Sequence, residues 1–466
     1  MSYTNRRNKN KAKMVLIYII IAIIIGLGAF VFLSPTFEKN SPKISLENEI
    51  FWNLTSPLKV NFTDDNEISS YVITYFDDNN EIKLDTKTLS SSKGSIDLNI
   101  IAPKIDLNAK TNNAMLKIEV SDTSKWNFFM GNKASKEIKI KVDKKSPIAN
   151  VLSNSYLIKQ GGSAAVVVEV KDENLKDFYI SFNNEERFEL FPFYKDNFYI
   201  AIIAWPIEIE EFQRVNLVAI DKARNKTVTK VPLYIKELKA KPDNIKISDK
   251  FINKVSKNVL MKSGYDIPTS QAEIFVKQNK DVRKRNIDTI KSETRNNMFK
   301  EKVSKFDIKE FKQLPSSMTF AGYGERRHYT YNGKKIHEAW HLGMDWASVK
   351  KAKIFTTNPG KVIFNDYLGI YGETIIIDHK FGLATLYAHT SRSVVEVNEE
   401  VKAGQYIANT GSSGAVFGDH LHFGVLIQGI EVNPSEWLSK YWVRENITKT
   451  IDNAKKVINS KWNKEH

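Results

Sequence analysis

Met14 to Leu33 is a run of twenty residues without a charge, and isoleucine supplies many of them. At helical rise such a run spans roughly 30 Å, the thickness of a bilayer's hydrocarbon core. No other feature constrains the fold as strongly, because it removes one helix from any soluble core and divides the chain by compartment. Arg6, Arg7, Lys9, Lys11 and Lys13 precede the run with no acidic residue among them. The positive-inside rule then keeps residues 1–13 in the cytoplasm and puts everything after Leu33 outside. A cleaved signal peptide has a shorter apolar core and a small-x-small cleavage site. Here the run ends Val31-Phe32-Leu33-Ser34-Pro35, which lacks that pattern. Residues 14–34 are therefore expected to be an uncleaved, single-pass anchor in the inner (cytoplasmic) membrane, with the remainder in the periplasmic or other extracytoplasmic space.

With 466 residues the chain has room for about three domains beyond that anchor. It contains no cysteine, which excludes disulfides, thiolate metal sites and thiol nucleophiles. A transition metal would have to be held by histidine and carboxylate. The net charge of +15 favours anionic surroundings such as acidic cell-wall polymers or a membrane surface; the plainer reading is a lysine-rich solvated surface. No basic helix with interleaved aromatics and no zinc-finger spacing is present, so no nucleic-acid partner is expected.

Residues 43–237 alternate short apolar runs with Asn, Asp, Ser and Gly, as in Tyr71–Phe76 and Ala165–Val170. This is the chemistry of strands and turns. The segment also repeats weakly. Ile118-Glu-Val-Ser-Asp122, with Asn132 beyond it, is echoed by Val218-Ala-Ile-Asp221 with Asn225, and the two aspartates lie 99 positions apart. Such a period implies two β-sandwiches in tandem, 43–143 and 146–237. Their last hairpins loosely resemble bacterial immunoglobulin-like domains, whose role is mostly spacing or binding. Residues 243–314 lose glycine and gain Lys, Asn and Glu. Ser270-Gln-Ala-Glu273 has capping-box form, and apolar residues follow at helical spacing, so a helical connector is expected. It reads either as a plain spacer or as an element that covers the downstream cleft. The sandwiches and the connector are also where protein partners would bind. From 315 to 440 strand candidates return, separated by short turns, which implies an antiparallel sheet. Residues 441–466 are polar and amphipathic and read as a helical tail, a surface helix or frayed end. The fold class is mainly β.

Seven of the eight histidines lie between His328 and His422. In His420-Leu421-His422 the two imidazoles are two residues apart, so on a strand they share a face. His341 and Asp345 are four apart, on a helix, a loop or a bent strand. Two imidazoles and a carboxylate suit Zn2+ and leave a fourth tetrahedral position for water. Two further imidazoles beside that position could move its proton and stabilise a tetrahedral oxyanion. His389 and one of the His420/His422 pair are the candidates. His379 sits in an expected turn and reads as solvent-facing. His328 and His337 lie in a variable loop. Trp340 and Trp346 read as core packing.

Taken in order, these motifs resemble the lysostaphin/LytM-type zinc endopeptidases of peptidoglycan. The likeness runs from about Phe320 to Pro434. It takes in Tyr323-Gly-Glu-Arg326, His341-Leu-Gly-Met-Asp345, Ile377–Gly382, Leu386-Tyr-Ala-His389, Thr410–Gly414, His420-Leu-His-Phe-Gly424 and Val432-Asn-Pro434. The resemblance implies that His341, Asp345 and His422 hold one zinc ion per chain, and that His389 and His420 stand as a catalytic pair beside it. It implies a lysostaphin-like peptidase domain that hydrolyses stem peptides or cross-links of peptidoglycan during wall remodelling. Gly424 departs from the family, which often has an acidic residue there, and the insertion Tyr329–Ala339 is longer than in compact members. Some relatives lose ligands and act only as activators of other hydrolases. An inactive envelope scaffold or activator is accordingly the alternative.

Overall fold

The computed structural model describes residues 3–78, 80–89, 94–104 and 113–465. Met1 and Ser2 of the basic N-terminal segment, and His466, lie outside them. The chain is mainly β and divides into two compact units. One comprises Met1–Ser146 with Asp221–Asn225, the other Pro147–Ile220 with Lys226–His466.

In the first unit the basic segment and the apolar run form one continuous helix, Tyr3–Leu33. Its stretch Lys11–Leu33 is long and apolar enough to cross a membrane, and it is not buried against the rest of the protein. A short 3-10 turn, Pro35–Phe37, follows, capped by the Ser34 side chain. A sandwich then pairs a three-stranded sheet with a five-stranded one. Alternation decides its core: along Leu58–Thr63, Leu58, Val60 and Phe62 point inward and Lys59, Asn61 and Thr63 outward. Trp52, Ile73, Tyr75, Leu116, Ile118, Ile138 and Ile140 complete that core.

The second unit begins with another sandwich, of two four-stranded sheets. Its strand Ser163–Lys171 is buried on both faces. The covering element on one side is the C-terminal helix Lys449–Glu465, which packs on this strand and on Ile148–Asn154. Ile447, Ile451, Ala454 and Ile458 recur at helical spacing and are buried. Glu169, nearly buried on the same strand, is paired with Lys461 at 2.6 Å and accepts a hydrogen bond from Asn150. The tail read from sequence as a surface helix or frayed end is thus part of the core.

The C-terminal sheet has ten strands, and every pairing in it is antiparallel. Leu383–Ser393 is central, flanked by Gly372–Asp378 and Leu421–Ile427. One face, carrying Trp346, Tyr387, Leu421, Phe423 and Val425, shares a core with the second sandwich. The other face, carrying Ile376, Ala384, Leu386, Ala388 and Leu426, packs under the connector helices through Val259, Leu260, Ile274, Phe275, Val282 and Ile290. The connector is helical over Asp249–Lys262 and Gln271–Asn297, each stretch containing a π-helical turn, with a non-helical link at 263–270 between them. Two parts of it differ from expectation. Lys241–Lys246 is a strand, parallel to Glu325–Tyr331 at the edge of a three-stranded sheet. Met298–Leu314 has no long element, and its Phe311 and Leu314 are buried in the larger core.

The second sandwich is tied to the C-terminal sheet by a polar seam. Asn433 N–H donates to Gly161 O at 2.7 Å, Ser163 N–H donates to Glu436 at 3.0 Å, and Trp437 Nε1–H donates to Ser163 Oγ at 3.0 Å. Gly162 has no room for a side chain, since a Cβ there would lie 2.8 Å from the Glu436 carboxylate. Burial pushes the Glu436 carboxyl up to about 7. Trp437 is fully buried at the centre of this seam. Trp437→Ala should destabilise the second unit by about 3–5 kcal/mol, the usual result of emptying a buried aromatic site. Val228→Ala, at a half-exposed position, should cost less than about 0.5 kcal/mol. Guanidinium unfolding of the two variants checks the contrast.

Candidate metal centre

Register delivers the first two candidate ligands. Asp345 on Met344–Ala347 lies directly opposite His422 on Leu421–Ile427, and His422 lies opposite Ala388 on the next strand. Along Leu421–Ile427, His422, Gly424 and Leu426 face the connector, while Phe423 and Val425 face the second sandwich. His341 comes from the loop before Met344, neither helix nor strand. Its backbone is pinned by His341 N–H to Glu325 O at 2.9 Å and Gly324 N–H to His341 O at 2.8 Å.

The side chains converge. His422 Nδ1 is 2.8 Å from Asp345 Oδ1, His341 Nε2 is 3.1 Å from Asp345 Oδ2, and the two ring nitrogens are 3.2 Å apart. The donor atoms of all three residues lie within 4.8 Å of one another, as a shared metal ion requires. Hydrogen bonding supports that use. His341 Nδ1–H donates to Gly322 O at 2.7 Å, which leaves Nε2 bare. His422 Nε2 is buried with no partner of its own, so the rest of that ring is held by what happens at Nδ1. Two imidazole nitrogens at contact distance beside one carboxylate form a cradle for a cation, and the N2O donor set suits Zn2+. Burial alone would raise the Asp345 carboxyl, but His341 and His422 beside it hold it well below the usual carboxylate range. Burial lowers His422 to about 4. Arg327 Nη2–H donates to Asp345 Oδ2 at 3.3 Å and orients the carboxylate from behind.

His389 and His420 complete the cluster. Their ring centroids are 4.9 Å apart, and His389 is 5.9 Å from His422. His420 Nε2 lies 3.8 Å from Asp345 Oδ1. Each is held by a backbone carbonyl: His389 Nδ1–H donates to Ser413 O at 2.8 Å, His420 Nδ1–H to Gly418 O at 2.9 Å. Both tautomers therefore present Nε2 away from the backbone. His389 has φ +62°, a left-handed conformation uncommon for a residue with a side chain, at a register shift between the central strand and Gly372–Asp378. Burial, with His420 and His422 nearby, depresses its pKa well below the ordinary value.

These residues line one side of a cavity of about 760 Å³. The other side is the connector: Ile245, Ser248, Phe251, Phe275, Gln278 and Asn279 all face it. Phe320 sits edge-on to His420 at 5.2 Å. The connector lines the cleft, one of the two readings its sequence allows, whereas sequence reading missed Arg327 and Phe320. No local motif marks either of them; they reach the cleft only through the tertiary fold.

The remaining histidines sort differently. His379 is not solvent-facing. It is 4 % exposed, with Pro359 O and Thr385 Oγ1 each 2.8 Å from a ring nitrogen, and burial lowers it to about 4. Two ready-made partners let a turn histidine fold inward. His328 and His337 lie on the hairpin Glu325–Tyr331/Lys334–Trp340, where His328 is 3.4 Å from Glu338 and His337 stacks on Tyr329. Trp346 stacks on Phe423 in the core. At Gly424 a Cβ would lie 3.3 Å from the Leu386 Cβ, so this chain packs the strand closely at that position.

The pattern that defines peptidase family M23 matches residues 339–434. The C-terminal part of this chain is a family M23 domain. Over 81 residues it is 40% identical to the murein hydrolase activator EnvC of Escherichia coli, covering 17% of this chain and 19% of that protein. Over 125 residues it is 31% identical to the peptidoglycan DD-endopeptidase ShyB of Vibrio cholerae, covering 27% of this chain and 28% of the other. The chain therefore spans less than a third of either relative's length. Among solved structures it is similar to the catalytic domain of lysostaphin from Staphylococcus simulans, with 26% identity, a TM-score of 0.23, and coverage of 27% of this chain and 94% of that one. The relatives of the M23 domain thus include both peptidoglycan endopeptidases and murein hydrolase activators.

Gly343 supplies a test of the cradle that leaves every donor in place. A Cβ there would lie 2.4 Å from His422 Nε2 and 2.8 Å from Phe423 O. Gly343→Ala must push the imidazole aside, and zinc measured after dialysis should fall well below one per chain. A full zinc complement in that variant would refute the geometry.

Proposed function

We propose that this chain is a membrane-anchored zinc metalloendopeptidase that hydrolyses peptide bonds in the stem peptides or cross-links of peptidoglycan. The observation that carries the reading is the meeting of His341 Nε2, the Asp345 carboxylate and His422 Nδ1 in one cradle, with His389 and His420 beside it. Under this proposal the three are the ligands of one zinc ion and the two are the catalytic pair. Bound there, zinc supplies Lewis acidity toward a scissile carbonyl and toward water. The chain's own residues do the rest. Arg327 fixes the Asp345 carboxylate. His389 and His420, each locked in one tautomer by a carbonyl, offer Nε2 to accept a proton from the attacking water and to return one to the leaving amine. We treat the pair as a unit. The cleft between sheet and connector would bind an extended peptide and limit access of bulk water.

The proposal includes the domain plan. Residues 43–143 and 146–237 are carrier domains, 243–314 a connector that walls the cleft, 315–440 the peptidase domain and 441–466 a tail that braces the second carrier. The helix Lys11–Leu33 would hold the chain in the cytoplasmic membrane, N-terminus inside, with the M23 domain toward the wall. The surplus of lysine would favour an anionic wall polymer, subject to screening by salt.

The relationship to EnvC keeps one rival in view: an activator that uses the same fold to engage another wall hydrolase. Incubating purified sacculi with the full chain and identifying products by mass spectrometry separates the two. New amino and carboxyl termini within stem peptides support the enzyme. Zinc-loaded chain that leaves sacculi intact yet raises cleavage by a separate hydrolase supports the activator. Within the enzyme reading, His341→Ala and Asp345→Ala should lose zinc. His389→Ala should keep it while turnover falls roughly 10²–10⁴-fold, the usual share of a general acid–base group. Normal turnover in His389→Ala would refute its role.

A further inference from the structure

The first sandwich carries an apolar feature that its own core does not use. Between Asn113–Asp122 and Lys133–Val142 the chain makes a tight loop, Trp126–Met130. Asn127, Phe128 and Phe129 have φ of +50°, +56° and +69°, three successive left-handed residues with side chains. Such a run is unfavourable for each of them. Its effect is to turn apolar side chains outward: Phe128 is 95% exposed, Phe129 73% and Met130 67%.

This loop is fixed to the end of the apolar helix. Trp126 meets Phe32 edge-on at 6.0 Å, and Phe129 meets Phe37 at 6.2 Å. Lys39 Nζ lies 3.9 Å from the Phe32 ring centre and 4.7 Å from that of Trp126. Lys125 N–H donates to Thr36 O at 2.8 Å, and Ser124 Oγ and Asn132 Nδ2 both donate to Glu38 O. The rings therefore stand level with Phe32 and Leu33, where the apolar run stops.

We propose that the Trp126–Met130 loop is a second membrane contact, seated in the interfacial layer of the leaflet from which the helix emerges. The inference rests on the anchor reading given above. A surface that surrounds Phe32 must also meet Trp126, because the two rings touch. Aromatic residues with a polar edge settle at that depth, between hydrocarbon and headgroups. Lys39, Lys125 and Lys133, all exposed around the loop, suit the phosphates of an anionic lipid. Continuity with the helix favours lipid over a protein as the occupant. The two contacts together would fix the tilt of the first sandwich against the bilayer, which a single helix followed by a flexible exit would not.

Because the chain has no cysteine, one introduced cysteine is unique. Phe128→Cys and Phe30→Cys, each carrying a nitroxide, are placed in full-length protein in vesicles of phosphatidylcholine and phosphatidylglycerol. Collision of the label with oxygen, which concentrates in lipid, is compared with collision with a water-soluble nickel chelate. Label 30 should be shielded from nickel and open to oxygen. Label 128 should show nickel accessibility several-fold below that of free label in buffer, at a depth shallower than label 30. Label 30 in lipid with label 128 as accessible to nickel as free label would overturn the loop's role and leave the anchor standing. Both labels in water would overturn the anchor and the loop together. Shielding of label 128 from both reagents, with spin–spin broadening that grows with protein concentration, would assign the surface to a second copy and overturn the lipid contact.

Discussion

The opposition of Asp345 and His422 across two adjacent strands is the constraint on which the site depends. In an antiparallel pair, neighbours in register point to the same face, and a slip of one residue sends every side chain on a strand to the other face. A one-residue error in the pairing of Leu421–Ile427 would bury His422 against the second sandwich and deliver Phe423 to the cleft. The apolar alternation that drives burial of Leu421, Phe423, Val425 and Ile427 on one side is thus the same force that presents His422 on the other. No separate energy is spent on aiming the imidazole.

The two faces of that sheet are occupied by different parts of the chain. The second sandwich takes one, through Trp437 and the seam at Ser163. The connector takes the other, through Ile274, Phe275 and Ile290. A sheet covered on both faces is rigid, and rigidity suits a cluster whose donor atoms must hold their spacing to a few tenths of an ångström. The irregular features sit at the sheet's end: His341 in a loop, His389 at a left-handed position, and His420 in an isolated bridge to Gly411.

Much of this was legible in the sequence, for stated reasons. The runs Gly360–Phe364, Glu373–Asp378, Leu383–Tyr387 and His420–Ile427 read as strand candidates because turn residues such as Lys380-Phe-Gly382 and Gln428-Gly429 bound them, and strands form there with somewhat different ends. The five residues of the cluster stood out because histidine is scarce and its spacing is unusual. What remained hidden was long-range. Lys241–Lys246 is polar and contains a proline, which suits an edge strand but gives no alternation to read. Helical spacing from Ile274 to Ile290 reveals an amphipathic helix but not the surface it will cover. Arg327 resembles any arginine until the fold sets it behind Asp345. His379 was misread because a turn motif says nothing of Pro359 O and Thr385 Oγ1, which arrive from elsewhere to satisfy it.

The connector's position carries a final consequence. The same helices that wall the cleft also keep Leu386, Ala388 and Leu426 dry, so the aperture cannot be widened by lifting them without wetting the underside of the sheet. Access and cohesion are then two expressions of one adhesion energy: whatever loosens the helices enough to admit a thicker occupant also erodes the platform that forms the floor of the cleft. Selection on such a molecule would act on the grip of its own linker, with the His341, Asp345 and His422 cluster left untouched.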